Sequence, residues 1–202
     1  MLPELISPAD VGGVVPWRAL CRDGALVPLW NLVAHRATVP ASPGLRARAL
    51  ATVLRGQVVV GGASAAWVHC GGPPPRRVTA VHQARAHRPW PDPAVHLVQA
   101  SLLADEVVEV GGVRVTSVRR TGLDVAREDL PVALAWLARL TAVGFDARAA
   151  RLALERRPRW HERNRIRATL DAFERALADD AAAPAAPPVR REAAASARPG
   201  PR

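Results

Sequence analysis

Residues 107–128 read VVEVGGVRVTSVRRTGLDVARE, and this stretch decides the fold. Two valine-rich runs flank Gly111-Gly112, the signal of a tight hairpin between antiparallel strands. Ser117 stands directly between the second run and an apolar-periodic segment. A serine there can accept a hydrogen bond from a free N–H of a first helical turn. A helix over about 118–127 is expected, with Val118, Leu123 and Ala126 facing the core. Arg120, Asp124 and Arg127 then share one face. Ion pairs on such a face are worth about 0.3–0.5 kcal/mol each when exposed. Catalysis would want a second carboxylate or a histidine beside Asp124, and the local sequence places none. Ser117, Arg120 and Asp124 are therefore expected to be structural residues.

The neighbouring segments extend this pattern. RRVTAVH and AVHLVQA are two further strand candidates before the hairpin, with alternation plain in the second. Upstream, LRARALATVLR reads as a helix with Leu45, Ala49 and Leu50 on its apolar face and Arg46 and Arg48 outside it. QVVVGGASAAWVHC reads as a buried strand, a Gly61-Gly62 turn and a short helix from near Ser64. The glycine pair suits a tight packed turn better than a nucleotide site, because no GxGxxG accompanies it. Downstream, three helices are expected: PVALAWLARLTAVG, begun by Pro131 and stopped by Gly144; DARAARLALERR, capped by Asp146; and a segment with Ile166, Leu170, Phe173 and Leu177 at helical spacing.

The first 40 residues carry their own order. SPAD offers a serine cap with Pro8 at the first helical position, and PWRALCR is a candidate helix closed by Asp23-Gly24. ALVPLWNLVAHRA then reads as a ribbon bent around Pro28 and Asn31. Helix, helix, ribbon is the order of a winged helix-turn-helix with a shortened front. The fold class expected is α+β. Residues 1–40 form a short degenerate winged helix, and residues 41–180 a mixed small-sheet body with a helical C-terminal half. Residues 181–202 form an Ala/Pro/Arg tail too poor in large apolar residues to order itself.

Composition narrows the chemistry. The chain has 202 residues and a net charge of +10, and all 28 of its basic residues are arginine. Without lysine there is no phosphate-loop lysine, no Schiff-base lysine and no lysine-containing acidic nuclease site. Residues 41–104 hold seven arginines against one acid, whereas residues 1–40 balance at three of each. A basic field favours polyanionic partners. No apolar run is long enough to cross a membrane, the N-terminus lacks the pattern of a signal peptide, and two cysteines make no disulfide framework. A cytoplasmic protein is expected.

His69, Cys70, His82, His87 and His96 crowd together, yet neither CxxC nor HxxxH spacing occurs, so no metal and no cofactor are expected. The run holding Arg76, Arg77, Arg85, Arg88 and Trp90 suits either a phosphate-and-base grip or a solvated hairpin tip. RRPRWHERNRIR, with Glu155 before it and Glu162 within it, reads as a solvated helix face.

The motif order DGALVPLWNLVAHRA, LRARALATVLR, VVVGGASAAWVHCGG, RRVTAVHQARAHRP and VEVGGVRVTSVRRTGLDVARE resembles the AbiEi-like antitoxins of type IV toxin–antitoxin systems, in the style of their actinobacterial branch. The resemblance spans about residues 15–135. Its most specific piece is the hairpin-to-helix joint: Val115-Thr116-Ser117, Arg120-Thr121 and Leu123-Asp124. It implies a non-enzymatic transcriptional regulator whose N-terminal winged helix binds the promoter DNA of its own operon. It also implies a body that antagonises a nucleotidyltransferase-like toxin. On that reading Arg18 and Arg22 enter the DNA from the second helix, His35 and Arg36 touch it from the wing, and Arg46 and Arg48 meet adjacent phosphates. The alternative is a protein-interaction module whose DNA-binding region has decayed. The short, electrically neutral front of the chain motivates it.

Overall fold

The computed structural model describes residues 4–83, 92–157 and 160–182. Arg85, His87, Arg88, Trp90 and the tail from residue 183 lie outside the described residues. The architecture is α+β: two small sheets and a helical C-terminal half.

The N-terminal part opens with β1 (Leu5–Ile6) and a single 3-10 turn, Pro8–Val11. Ser7 is the N-cap residue, but its hydroxyl makes no cap to the backbone; its N–H and hydroxyl both donate to Asp10 Oδ2, at 2.8 and 2.7 Å. Gly12 and Gly13, both at positive φ, end it at once, so the first expected helix is one turn long. Next come α1 (Val14–Arg22), β2 (Leu26–Trp30) and β3 (Val33–Arg36). The sheet order is β1-β3-β2. The ribbon returns beside a strand that precedes the helix, as in a winged helix whose leading helix is missing. Ile6, Trp17, Leu26 and Ala34 bury a small cluster there. Trp30 and Val33 on the same ribbon belong to the core of the body, and Trp30 Nε1 donates to Pro75 O at 2.7 Å.

The body is built on a five-stranded sheet, β6-β5-β4-β8-β7. Its strands are β4 (Val59–Val60), β5 (Val78–His82), β6 (Val95–Gln99), β7 (Val107–Val110) and β8 (Val113–Thr116). Each of the four strand candidates from RRVTAVH to GVRVTSV is a strand. β5–β6 and β4–β8 run parallel; β4–β5 and β7–β8 run antiparallel. The central β4 is wholly apolar because it is buried on both faces. The edge strand β7 is half-exposed and carries Glu109 outward.

Helices α2 (Pro43–Ala51) and α3 (Gly62–Cys70) pack with α4 (Val118–Val125), α5 (Leu130–Thr141), α6 (Ala147–Glu155) and α7 (Arg163–Ala182) around one core. α3 starts two residues before the expected Ser64. Gly61 is required at its entry, because a Cβ there would stand 2.7 Å from Val81 Cγ2. Ser117 caps α4, accepting from Arg120 N at 3.4 Å. Asp146 caps α6 through Arg148 N and Ala149 N. Ile166, Leu170 and Phe173 of α7 are buried, as their spacing suggests, while Leu177 is exposed.

Candidate nucleic-acid face and a buried charge network

α1 presents one anchored side and one open side. Trp17 is buried and donates from Nε1 to Ile6 O at 3.1 Å. Arg18 and Arg22, four apart, stand exposed on the helix, and neither makes an ion pair or hydrogen bond among the described residues. Val15, beside them, is 80% exposed. The neutral total of residues 1–40 conceals how the acids are used. Glu4 pairs with Arg48. Asp10 is held by Ser7, whose two hydrogen bonds pull its carboxyl below the ordinary carboxylate range. The ribbon turns at Asn31, with φ 51, and Leu32 is exposed at its tip.

The other four expected DNA contacts stand elsewhere. His35 is 4% exposed and sits on the central strand of the small sheet, opposite both Leu5 and Val27. Its Nδ1 lies 2.9 Å from Arg36 O. Burial from both sides removes it from the wing surface. Arg36 lies at the foot of the ribbon, opposite Leu26. Arg46 is turned inward. It donates to Val68 O at 3.1 Å, Ala41 O at 2.6 Å and His69 O at 3.4 Å. It thereby satisfies carbonyls at the end of α3 that the helix leaves open. Arg48 is engaged by Glu4.

The ion-paired cluster expected on α4 is present, and it is buried. Arg120 and Asp124 are 4% and 6% exposed. Arg120 Nε donates to Asp124 Oδ2 at 3.0 Å, and its Nη1 donates to Glu106 Oε2 at 2.9 Å and to Ser101 O at 3.3 Å. Glu106, 5% exposed, also faces Arg157 Nη1 at 3.2 Å. The guanidinium carbons of Arg120 and Arg157 lie 4.6 and 5.0 Å from the centre of the Trp160 ring. Burial pushes the Asp124 carboxyl above the ordinary carboxylate range, against the pull of Arg120 and Arg127. Glu106, Arg157 and Trp160 are neighbours of this cluster that sequence reasoning missed. They reach Arg120 from distant segments, and no local spacing signals that meeting.

Beside this network lies a cavity of about 500 Å³. Gly62 at the start of α3, Thr79 and Val81 of β5, and Val98 to Ser101 at the end of β6 form one side. Arg120, Asp124, Arg127, Arg157, Trp160 and His161 form the other. The glycine pair thus does two jobs: Gly61 packs against Val81, and Gly62 opens onto the cavity.

His69 donates from Nε2 to Thr116 O at 2.7 Å. Burial, the larger cause, and nearby Arg46 lower its pKa, although the bond to Thr116 opposes them. His82 and His96 occupy adjacent strands, paired with Gln99 and Thr79 respectively. Among the described residues no three His, Cys, Asp or Glu side chains are gathered as metal ligands, and no described helix is long and apolar enough to cross a membrane.

No family model matches the chain, and no curated protein matches it. Among solved structures it is similar to the crystal structure of the RV2827C protein from Mycobacterium tuberculosis. The sequences are 18% identical, the TM-score is 0.44, and the match covers 85% of this chain and 72% of that one.

Proposed function

We propose that the chain is a non-enzymatic, DNA-binding regulator of the antitoxin type, with α1 as its reading helix. The observation that carries this is the pair Arg18 and Arg22: two guanidinium groups without a partner among the described residues, one turn apart, on the open side of a helix inside a winged-helix sheet order. Arginine at such a position can pair two-pronged with guanine edges or meet phosphates. The DNA would be the promoter of its own operon, and the body would serve as functional antagonist of a nucleotidyltransferase-like toxin. His35 and Arg46 drop out of the contact set on this reading, because one is buried and the other holds α3.

The test is binding as a function of salt, on the DNA upstream of its own gene and on random duplex. The wild-type protein should prefer its own upstream DNA. The Arg18→Ala, Arg22→Ala double variant should lose that preference, and its log–log salt slope should flatten by about 0.9 for each phosphate contact removed. Equal affinity for both duplexes at physiological salt would refute the reading and favour the interaction-module alternative.

A further inference from the structure

The cavity beside Arg120 plays no part in a DNA grip by α1, and its lining has a chemistry of its own. Its volume, about 500 Å³, suits a small organic molecule. Three arginines line it: Arg120, Arg127 and Arg157. Asp124 in the wall and Glu106 behind it tie two of them by ion pairs. Arg127 is half-buried; its side chain makes no hydrogen bond or ion pair among the described residues, and its charge pulls on Asp124. Gly62, the first residue of α3, lines the same space, so the positive end of that nine-residue helix borders the cavity. A Cβ at position 62 would come within 3.5 Å of Thr79 Cγ2, another lining residue. The rest of the lining mixes Val81, Val98, Ala100 and the Trp160 ring, over which Arg120 and Arg157 lie, with the polar groups of Gln99, Ser101 and His161.

We infer that this cavity binds a nucleoside monophosphate, with the phosphate drawn to Arg127 and the α3 end and the base covered by the Trp160 and valine wall. An inorganic anion would leave the apolar wall wet. An uncharged nucleoside would leave the Arg127 side chain without a hydrogen-bond acceptor among the described residues. A ligand with one dianionic end and one flat, hydrogen-bonding end engages both halves of the lining.

The experiment is isothermal titration of the full chain at low salt with AMP, GMP, ribose 5-phosphate and adenosine. At least one of the two nucleotides should bind about tenfold tighter than ribose 5-phosphate and than adenosine, the step expected from one charge-assisted contact or one stacked base. Arg127→Gln should weaken that binding about tenfold, and Arg127→Lys should recover part of it. The melting temperature of unliganded Arg127→Lys should stay at the wild-type value, because the charge that pulls on Asp124 is kept. Absence of heat from both nucleotides at millimolar concentration would overturn the proposal. Equal binding of ribose 5-phosphate, equal binding of adenosine, or an unchanged affinity in Arg127→Gln would each do the same. None of these outcomes depends on whether α1 binds DNA.

Discussion

Replacing Arg120 by methionine separates a buried charge network from an exposed one. Methionine keeps most of the stem and removes the guanidinium. Were the α4 cluster a solvated helix face, the loss would be about 0.3–0.5 kcal/mol. The structure instead leaves Arg120, Asp124 and Glu106 at 4, 6 and 5% exposure. The substitution would strand two carboxylates that Arg120 joins at 3.0 and 2.9 Å. Removing one partner of a buried pair costs about 3–5 kcal/mol, and the contact with Trp160 adds about 0.5–1 kcal/mol. A domain with a typical stability of about 5–15 kcal/mol would survive this, much weakened.

Urea unfolding at pH 7 and again near pH 4.5 is the assay. The Asp124 carboxyl already sits above the ordinary range in the wild type, chiefly through burial. Its folded pKa exceeds its unfolded value, so its contribution to stability is fullest below about pH 4 and is lost as pH rises through the folded value. Without Arg120 the pull that opposes burial is gone, and the folded pKa moves higher still. The deficit of Arg120→Met should therefore be largest at pH 7 and shrink towards acid. A loss below about 1 kcal/mol at pH 7, or a deficit that does not change with pH, would refute the buried-network reasoning.

Two further substitutions test other parts of the fold. Gly122→Ala should lower the melting temperature: its Cβ would stand 2.0 Å from Phe145 Cε2, and overpacking of about 1–3 kcal/mol outweighs the helix-propensity gain of about 1 kcal/mol; an unchanged or raised melting temperature would count against the packing described. Arg46→Ala should cost about 2–3 kcal/mol in urea unfolding, because it removes charged hydrogen bonds to three carbonyls; a flattened DNA salt slope at unchanged stability would instead make Arg46 a phosphate contact.

Local turn and cap chemistry made much of this architecture legible. Gly111-Gly112 demanded a hairpin, Ser117 and Asp146 announced helix starts, and Asn31 marked the bend of the ribbon. What stayed hidden was long-range. Periodicity places Arg46 on the polar side of α2, but it describes where a Cβ points and not where a long side chain ends. His35 looked like a wing residue because β1 is two residues long, too short to be recognised as a strand covering β3. The i,i+4 spacing of Arg120 and Asp124 announced their ion pair but not its burial. Only the meeting of Glu106, Arg157 and Trp160 around it excludes water. Arg18 and Arg22 were assigned to the second helix through the antitoxin resemblance, and both stand exposed on α1; nothing local foretold that Trp17 anchors that helix.

The parallel pairing of Val60 with Val115 imposes a sequence of events on folding. β4 can meet β5 early, through one intervening helix, and β2 meets β3 across a two-residue turn. β4 and β8, however, cannot join until α3, β5, β6 and β7 have all emerged and the chain has doubled back. Contacts between such distant segments are slow to form, because loop closure comes before any reward. During synthesis on the ribosome, β4 would therefore wait with one backbone edge unpaired until residues 113–116 arrive. Until then this fully apolar strand is the part of the nascent chain most exposed to pairing with the wrong neighbour.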